Sequence, residues 1–285
     1  RYAIEKMCKE KKSLNHFNEK EVDLKVSLIS DDNAEIAEDG LYFIGAGLNV
    51  TYKNSQNKNK VLINDSPTGE KPVVTCTNTI TLNGTSLICK NVALKLNENA
   101  TYRFLTINTN NAPYVAFDGC NLEVPSTATQ NAFCYASTAV AINSFTLHKS
   151  KIKIDKSTEY NIISVGKDNF VNFNSISVEN TIFYGNNAST FKLFGVNNGN
   201  TTNAGIGSLV LRNTTFLNMH YAGYGIVNGD ISTMIVKNNI IYADNNNNNN
   251  VTVFRKRGNS SASLQATDGE VADNIGYIIG DFYLN

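Results

Sequence analysis

Ile176-Ser177-Val178-Glu179-Asn180-Thr181-Ile182 reads as an apolar pair straddling one residue, a polar corner containing Asn, and the start of another apolar run. The same phrase recurs at Leu87-Ile88-Cys89-Lys90-Asn91-Val92, Val115-Ala116-Phe117-Asp118-Gly119-Cys120-Asn121-Leu122, and Phe145-Thr146-Leu147-His148-Lys149-Ser150-Lys151-Ile152. It returns at Leu209-Val210-Leu211-Arg212-Asn213-Thr214-Thr215-Phe216 and Met234-Ile235-Val236-Lys237-Asn238-Asn239-Ile240, and more weakly at Glu270-Val271-Ala272-Asp273-Asn274-Ile275. Taking Ile88, Phe117, Leu147, Val178, Leu211, Val236 and Val271 as equivalent gives intervals of roughly 25 to 35 residues. That is the period of stacked supersecondary units, none of which can bury its apolar face alone.

Apolar residues alternate within each unit, as in Phe145 and Leu147 and then Ile152 and Ile154, the period of two expected of a strand with one buried face. β-branched and aromatic residues are frequent, and Gly, Asn, Ser and Thr punctuate the runs, so propensity also favours strands. A third apolar segment supplies the remaining side of each turn, at Phe104–Ile107, Phe191–Phe194, Tyr224–Val227 and Val251–Phe254. The expected fold is all-β: a parallel β-helix of about 7–9 coils with three short strands per coil.

The corners carry their own pattern. Asn91, Asn180, Asn213, Asn238 and Asn274 would lie above one another on successive coils, about 4.8 Å apart. Asn tolerates a left-handed backbone and its amide can bond to the next coil, so stacked Asn residues satisfy turn groups that otherwise lack partners. Gly119 with Cys120, and Ser150, hold the corner in the other coils. Asn accounts for 44 of the 285 residues.

The charge is balanced at 25 basic and 25 acidic residues, which points away from nucleic acid and anionic membrane. No apolar stretch reaches membrane-spanning length. Cys8, Cys76, Cys89, Cys120 and Cys134 form no CxxC pair, and with three His no zinc spacing appears. The cysteines are expected to be buried free thiols, with no metal site. Tyr2–Lys12 is the one helical pattern, with Ile4, Met7 and Cys8 on one face. It is expected to cap the open first coil. Strands Val22–Val26 and Leu41–Ile44 then begin the stack, with residues 1–38 as cap and first strand and 39–285 as the β-helix, one domain overall. The Asn245–Asn250 run reads as a loop insertion.

Gly40-Leu41-Tyr42-Phe43-Ile44-Gly45-Ala46-Gly47-Leu48-Asn49-Val50, then Lys60-Val61-Leu62-Ile63 and Pro67-Thr68-Gly69-Glu70-Lys71-Pro72-Val73-Val74, resembles the first coils of pectate-lyase-like right-handed parallel β-helix proteins. Within that family it is most similar to Bacteroidetes surface or secreted β-helix proteins encoded near polysaccharide-utilisation systems. The resemblance covers roughly residues 38–285 and rests on structural motifs, which specify fold better than activity. It implies a right-handed, single-stranded β-helix and a polysaccharide partner. It also implies a secreted or outer-surface location, with a lipid anchor through a leader outside this chain as one route. The chain begins at Arg1 rather than Met, as expected either if a leader has been removed or if the chain has been trimmed.

Lyases of this superfamily use an Arg or Lys base with Ca²⁺ held by acidic side chains, and hydrolases use clustered Asp. Residues that follow the reference apolar positions should face outward, placing Asp118, His148, Glu179, Arg212 and Lys237 on successive coils, with Cys89 before and Ala272 after. One reading is a polar groove with Arg212 or Lys237 as base and Asp118 or Glu179 on a metal. The other is a solvated ladder of opposite charges. The Arg-x-Pro-x-x-Arg pattern of pectate lyases is absent. So are the paired-Asp, Gly-His-Gly and Arg-x-Lys signatures of polygalacturonases, to which Arg255-Lys256-Arg257 is only a superficial match. No cofactor is implied, Ca²⁺ entering only with a lyase. A second outward line is expected at Ala93, Glu123, Lys153, Phe183, Leu217 and Ile241, its apolar half covered by a loop or partner. His220, Tyr221 and Tyr224 offer rings for stacking on sugars, or for packing on Phe183 and Leu217. Two functions stay open: a non-catalytic glycan-binding or surface structural module, and a lyase or hydrolase of an acidic glycan.

Overall fold

The computed structural model describes residues 24–53, 58–66, 69–96, 103–108, 112–128, 132–136, 140–155, 160–165, 170–185, 191–196, 203–217, 231–242, 264–276 and 282–284. Every strand pairing among them is parallel, and strands stack in chain order, so successive turns of chain lay one strand upon another along a growing solenoid. The protein is a parallel β-helix. The first sheet has 11 strands, running from Val26–Ile29 through Val140–His148, Phe170–Glu179 and Asn203–Arg212 to Phe282–Leu284. The second has 10, from Glu35–Ile36 to Ile275–Gly276, and the third has 5, from Ile80–Leu82 to Phe191–Val196.

Eleven stacked strands exceed the coil number expected from the repeat. Most of the surplus lies at the N-terminal end, where Val26, Leu41, Val61 and Ile88 are register partners on successive strands although they stand close together in sequence; Phe282–Leu284 adds one strand at the other end. Those first coils are short and contribute no strand to the third sheet among the described residues, so a phrase of about 30 residues does not detect them. Among the described residues the first strand is Val26–Ile29, followed by Glu35–Ile36; Val22 and Asp23 of the expected Val22–Val26 strand lie outside them. The Tyr2–Lys12 helix and Cys8 lie outside the described residues, as do Tyr224–Val227, Val251–Phe254, Arg255–Arg257 and the Asn245–Asn250 run.

Inward columns of superposed side chains make the core. Cys89, Phe117, Leu147, Val178, Leu211 and Val236 point inward from the first sheet, all at 0% exposure. Leu94, Leu122, Ile152, Phe183 and Phe216 do so from the second. Because equivalent residues superpose from coil to coil, Phe183 and Phe216 stack with centroids 4.8 Å apart and planes 7° from parallel. Phe104 and Phe133 stack at 4.5 Å beside the third sheet. Cys76, Cys89, Cys120 and Cys134 are free and buried, as expected. Burial pushes the Cys76, Cys120 and Cys134 thiols up to about 12 and Cys89 well above its ordinary value, so all four stay protonated and unreactive. A second apolar cluster of Leu41, Phe43, Val61 and Ile63 is buried on the other face of the first strands, with Leu24, Val26 and Ile88 against it.

Most of the left-handed residues lie at the corner between the first and second sheets. Positive φ falls on Asn91, Gly119, Lys149, Asn180, Asn213, Asn238 and Asp273. Asn91, Asn180, Asn213 and Asn238 are where the repeat puts them, and amides join across coils: Asn213 Nδ2 donates to Asn180 Oδ1 and Asn238 Nδ2 to Asn213 Oδ1, each at 3.2 Å. At three coils the corner sits one residue earlier than Cys120, Ser150 and Asn274. Those three belong to a second column just inside it, with Thr181, Thr214 and Asn239. Cys120, Ser150, Thr181, Thr214 and Asn239 are all exposed by 1% or less. Their side chains close the buried corner carbonyls and amides: Ser150 Oγ donates to His148 O at 2.9 Å, Thr181 Oγ1 to Glu179 O at 2.9 Å, and Asn239 Nδ2 to Leu211 O at 2.8 Å. Buried backbone groups cost free energy unless paired, which explains why hydroxyl and amide side chains occupy an otherwise apolar interior.

Candidate functional site

Strand register brings the five charged candidates into one line. Asp118 pairs with His148, His148 with Glu179, Glu179 with Arg212 and Arg212 with Lys237, each one coil from the next, and Ala272 follows. They immediately precede the left-handed corner residues, on the outer face of the first sheet. Lys90, not Cys89, stands before Asp118. Taking Ile88 as equivalent to Phe117 was a one-residue slip, and with a side-chain period of two such a slip exchanges faces. Cys89 is inward and buried, whereas Ile88 is partly exposed.

The charges of this line satisfy one another. His148 Nδ1 lies 2.9 Å from Asp118 Oδ1. Arg212 donates through Nε to Glu179 Oε2 at 2.9 Å and through Nη2 to the same oxygen, while Ser177 Oγ donates to Glu179 Oε1 at 2.9 Å. Lys237 Nζ donates to Glu270 Oε1 at 2.5 Å, which raises the lysine above its ordinary value. Burial works to raise the Glu179 carboxyl, but the hydrogen bond from Arg212, joined by that from Ser177, outweighs it and holds the group below its ordinary value. Lys90, Ser177 and Glu270, which the repeat phrases contain, are not among the site residues that the sequence singles out. Alternation back from the corner was the available signal for Ser177 and Glu270, each two residues before a stripe position.

The carboxylates that a lyase would assign to Ca²⁺ do not fit that ion. Asp118 and Glu179 are separated by the His148 coil and each meets a side chain of basic type, whereas calcium collects six to eight oxygens around one point. Among the described residues no group of three or more His, Cys, Asp or Glu is placed to hold a metal ion.

The second outward line is composed differently from expectation. Phe183 is buried against Phe216, and Ile241 shares the Phe216 backbone register. Ala93 belongs to the column of Asn121, Lys151 and Ile182. The outward column that contains Glu123, Lys153 and Leu217 is completed by Lys95 and Tyr184. Lys153 meets Asp155 at 2.7 Å and Glu123 at 3.6 Å. Apolar side chains are exposed toward the C-terminal end of this face in both columns: Tyr184 in the Glu123 column at 39%, and Ile240 and Ile275, which continue the Ala93 column, at 44% and 66%. His220, Tyr221 and Tyr224 lie outside the described residues.

Among the described residues, no helix is long and apolar enough to cross a membrane. No protein-family model matches the chain, and no curated protein and no solved structure matches it.

Proposed function

We propose that this protein is a non-catalytic, polysaccharide-binding or polysaccharide-presenting β-helix module of the pectate-lyase-like kind, acting in a secreted or outer-surface location. The observation that carries this reading is the mutual pairing of the stripe. Asp118 hydrogen-bonds His148, and ion pairs join Glu179 to Arg212 and Lys237 to Glu270, in a line along the edge of a sheet. A general base must be held ready for a substrate proton, and a pair of catalytic carboxylates must face one bond. Here the acidic and basic groups face each other instead. Partner and location rest on the resemblance of residues 38–285 to polysaccharide-associated β-helix proteins. The alternative, a lyase or hydrolase of an acidic glycan, draws on the same register, which lines a carboxylate, an imidazole, a second carboxylate and a guanidinium on four successive coils.

A glycan panel read in two ways tests the choice: binding by calorimetry, and release of unsaturated or reducing ends with and without Ca²⁺. Binding without turnover is the expected result. Product formation that disappears in Arg212→Ala or Lys237→Ala overturns it.

A further inference from the structure

A different part of the first sheet carries an uncharged row. Where strands Val140–His148, Phe170–Glu179 and Asn203–Arg212 bend, two successive residues escape burial in each, at 143–144, 174–175 and 207–208. Side-chain amides run along this bend. Asn172 Nδ2 donates to Asn174 Oδ1 at 3.4 Å, Asn174 Nδ2 to Asn143 Oδ1 at 2.9 Å, and Asn143 Nδ2 to Tyr114 Oη at 3.1 Å. An amide has two N–H groups and two acceptor lone pairs. The run uses one N–H of each Asn and leaves the other on a partly or fully exposed face.

The next coil is bare. Gly205, the register partner of Asn172, and Gly207 flank buried Ile206, so neither residue beside it carries a side chain. Glycine in a strand interior weakens it and marks close approach of another backbone or of a ligand. Gly207 has the first explanation, since a Cβ there would meet the Asn174 carbonyl oxygen at 2.7 Å. Gly205 does not. Its Cβ would meet only the end of the Asn172 side chain, at 3.0 Å, a contact that a rotamer change relieves. The result is a ledge floored by glycine backbone and walled on one side by amides, one strand spacing of about 4.8 Å away.

We infer that this ledge, with Gly205 and Gly207 as floor and Asn143, Asn172 and Asn174 as wall, binds one strand of a neutral polysaccharide. Sugar hydroxyls both donate and accept, which is what the remaining amide valences require, and a pyranose unit is about one coil rise in length. The floor and wall carry no charge, and Asp118, Glu179 and Arg212 stand at the far ends of their strands, beside the corner. The inference rests on the glycan-binding reading above and adds to it the place and the class of sugar.

The test is calorimetric titration of the native chain and of Gly205→Ala, Asn172→Ala and Arg212→Ala. Each is titrated with neutral gluco-, xylo- and manno-oligosaccharides and with oligogalacturonate, at low and high salt, and folding is checked by melting. Binding of a neutral oligosaccharide is expected, weakened about tenfold by Gly205→Ala or Asn172→Ala, the equivalent of one lost hydrogen bond. It should be unchanged by Arg212→Ala and by salt. Neutral binding that survives in both folded ledge variants, or binding of oligogalacturonate alone, overturns the ledge and leaves the module reading standing. Binding of no oligosaccharide by the native chain overturns both. If Gly205→Ala does not fold, Asn172→Ala decides alone.

Discussion

Two lysines show how single positions depart from the pattern around them. Lys149 adopts φ 48° at a corner where Asn91, Asn180, Asn213 and Asn238 sit in the same left-handed conformation. A side chain with Cβ pays for that conformation unless, like Asn, it gains local or cross-coil bonds. Lys149→Asn should therefore stabilise the protein by about 0.5–1 kcal/mol, read as a higher urea midpoint at constant slope. Lys60 faces the interior as register partner of Gly40 and Leu87, with 0% exposure. Its Nζ lies 3.2 Å from Lys53 O and 4.4 Å from the centroid of the Tyr52 ring. Burial lowers its pKa from an ordinary 10.5 to about 8. The folded state thus releases this proton at lower pH than the unfolded chain does. Stability should rise with pH between about 8 and 10.5 and stay flat in this respect below 8. Lys60→Met is expected to raise stability at pH 7 by about 1–3 kcal/mol and to abolish that rise. A melting series from pH 7 to 10 checks both, and an unchanged slope in the variant would refute the assignment.

At the scale of strands and corners, periodicity was legible and phase was not always so. From Phe117 onward the chosen apolar positions fall in one inward column from Phe117 to Val236, because each is followed two residues later by the left-handed corner. At Leu87–Lys90 two apolar residues adjoin a cysteine that is itself buried, so composition could not show which of Ile88 and Cys89 faced inward. Phe183 was misplaced for a related reason: its neighbours Ile182 and Tyr184 are large and apolar too, so alternation is invisible there. The buried column inside the corner was not anticipated, since Ser, Thr and Asn read as turn residues in sequence and only stacking buries them. Thr214 is its clearest member, its Oγ1 lying 3.2 Å from Val178 O and 3.1 Å from Arg212 O. Thr214→Val keeps the volume and removes the donor, and should cost about 1–2 kcal/mol. Urea denaturation measures it, and a neutral result would show that the corner carbonyls need no side-chain partner.

Across the whole molecule, stacking turns a neutral composition into ordered rows: an ion-paired line beside the corner, an amide row at the bend, and an outer face on the second sheet that becomes apolar toward Ile240 and Ile275. The ion-paired line should matter little to stability. Arg212→Ala is expected to cost less than about 1 kcal/mol at pH 7, because the guanidinium is half exposed. The Glu179 carboxyl is held below its ordinary value, so the pair's contribution is present above that ordinary value and is lost as pH falls through the lowered one. Melting from pH 3 to 7 should show a shallower acid decline in Arg212→Ala than in the native chain. The all-β class, the coil repeat, the Asn corner and the order of the charged line can be read in the chain alone, because a stacked fold writes its period and its turn residues directly into it. The count of stacked strands among the described residues, the face on which Cys89 and Phe183 lie, the pairing of each charge and the coincidence of Gly205 with Asn172 emerge only on folding. Those depend on which residue of one coil meets which residue of the next, and that register is fixed by packing between segments distant in sequence.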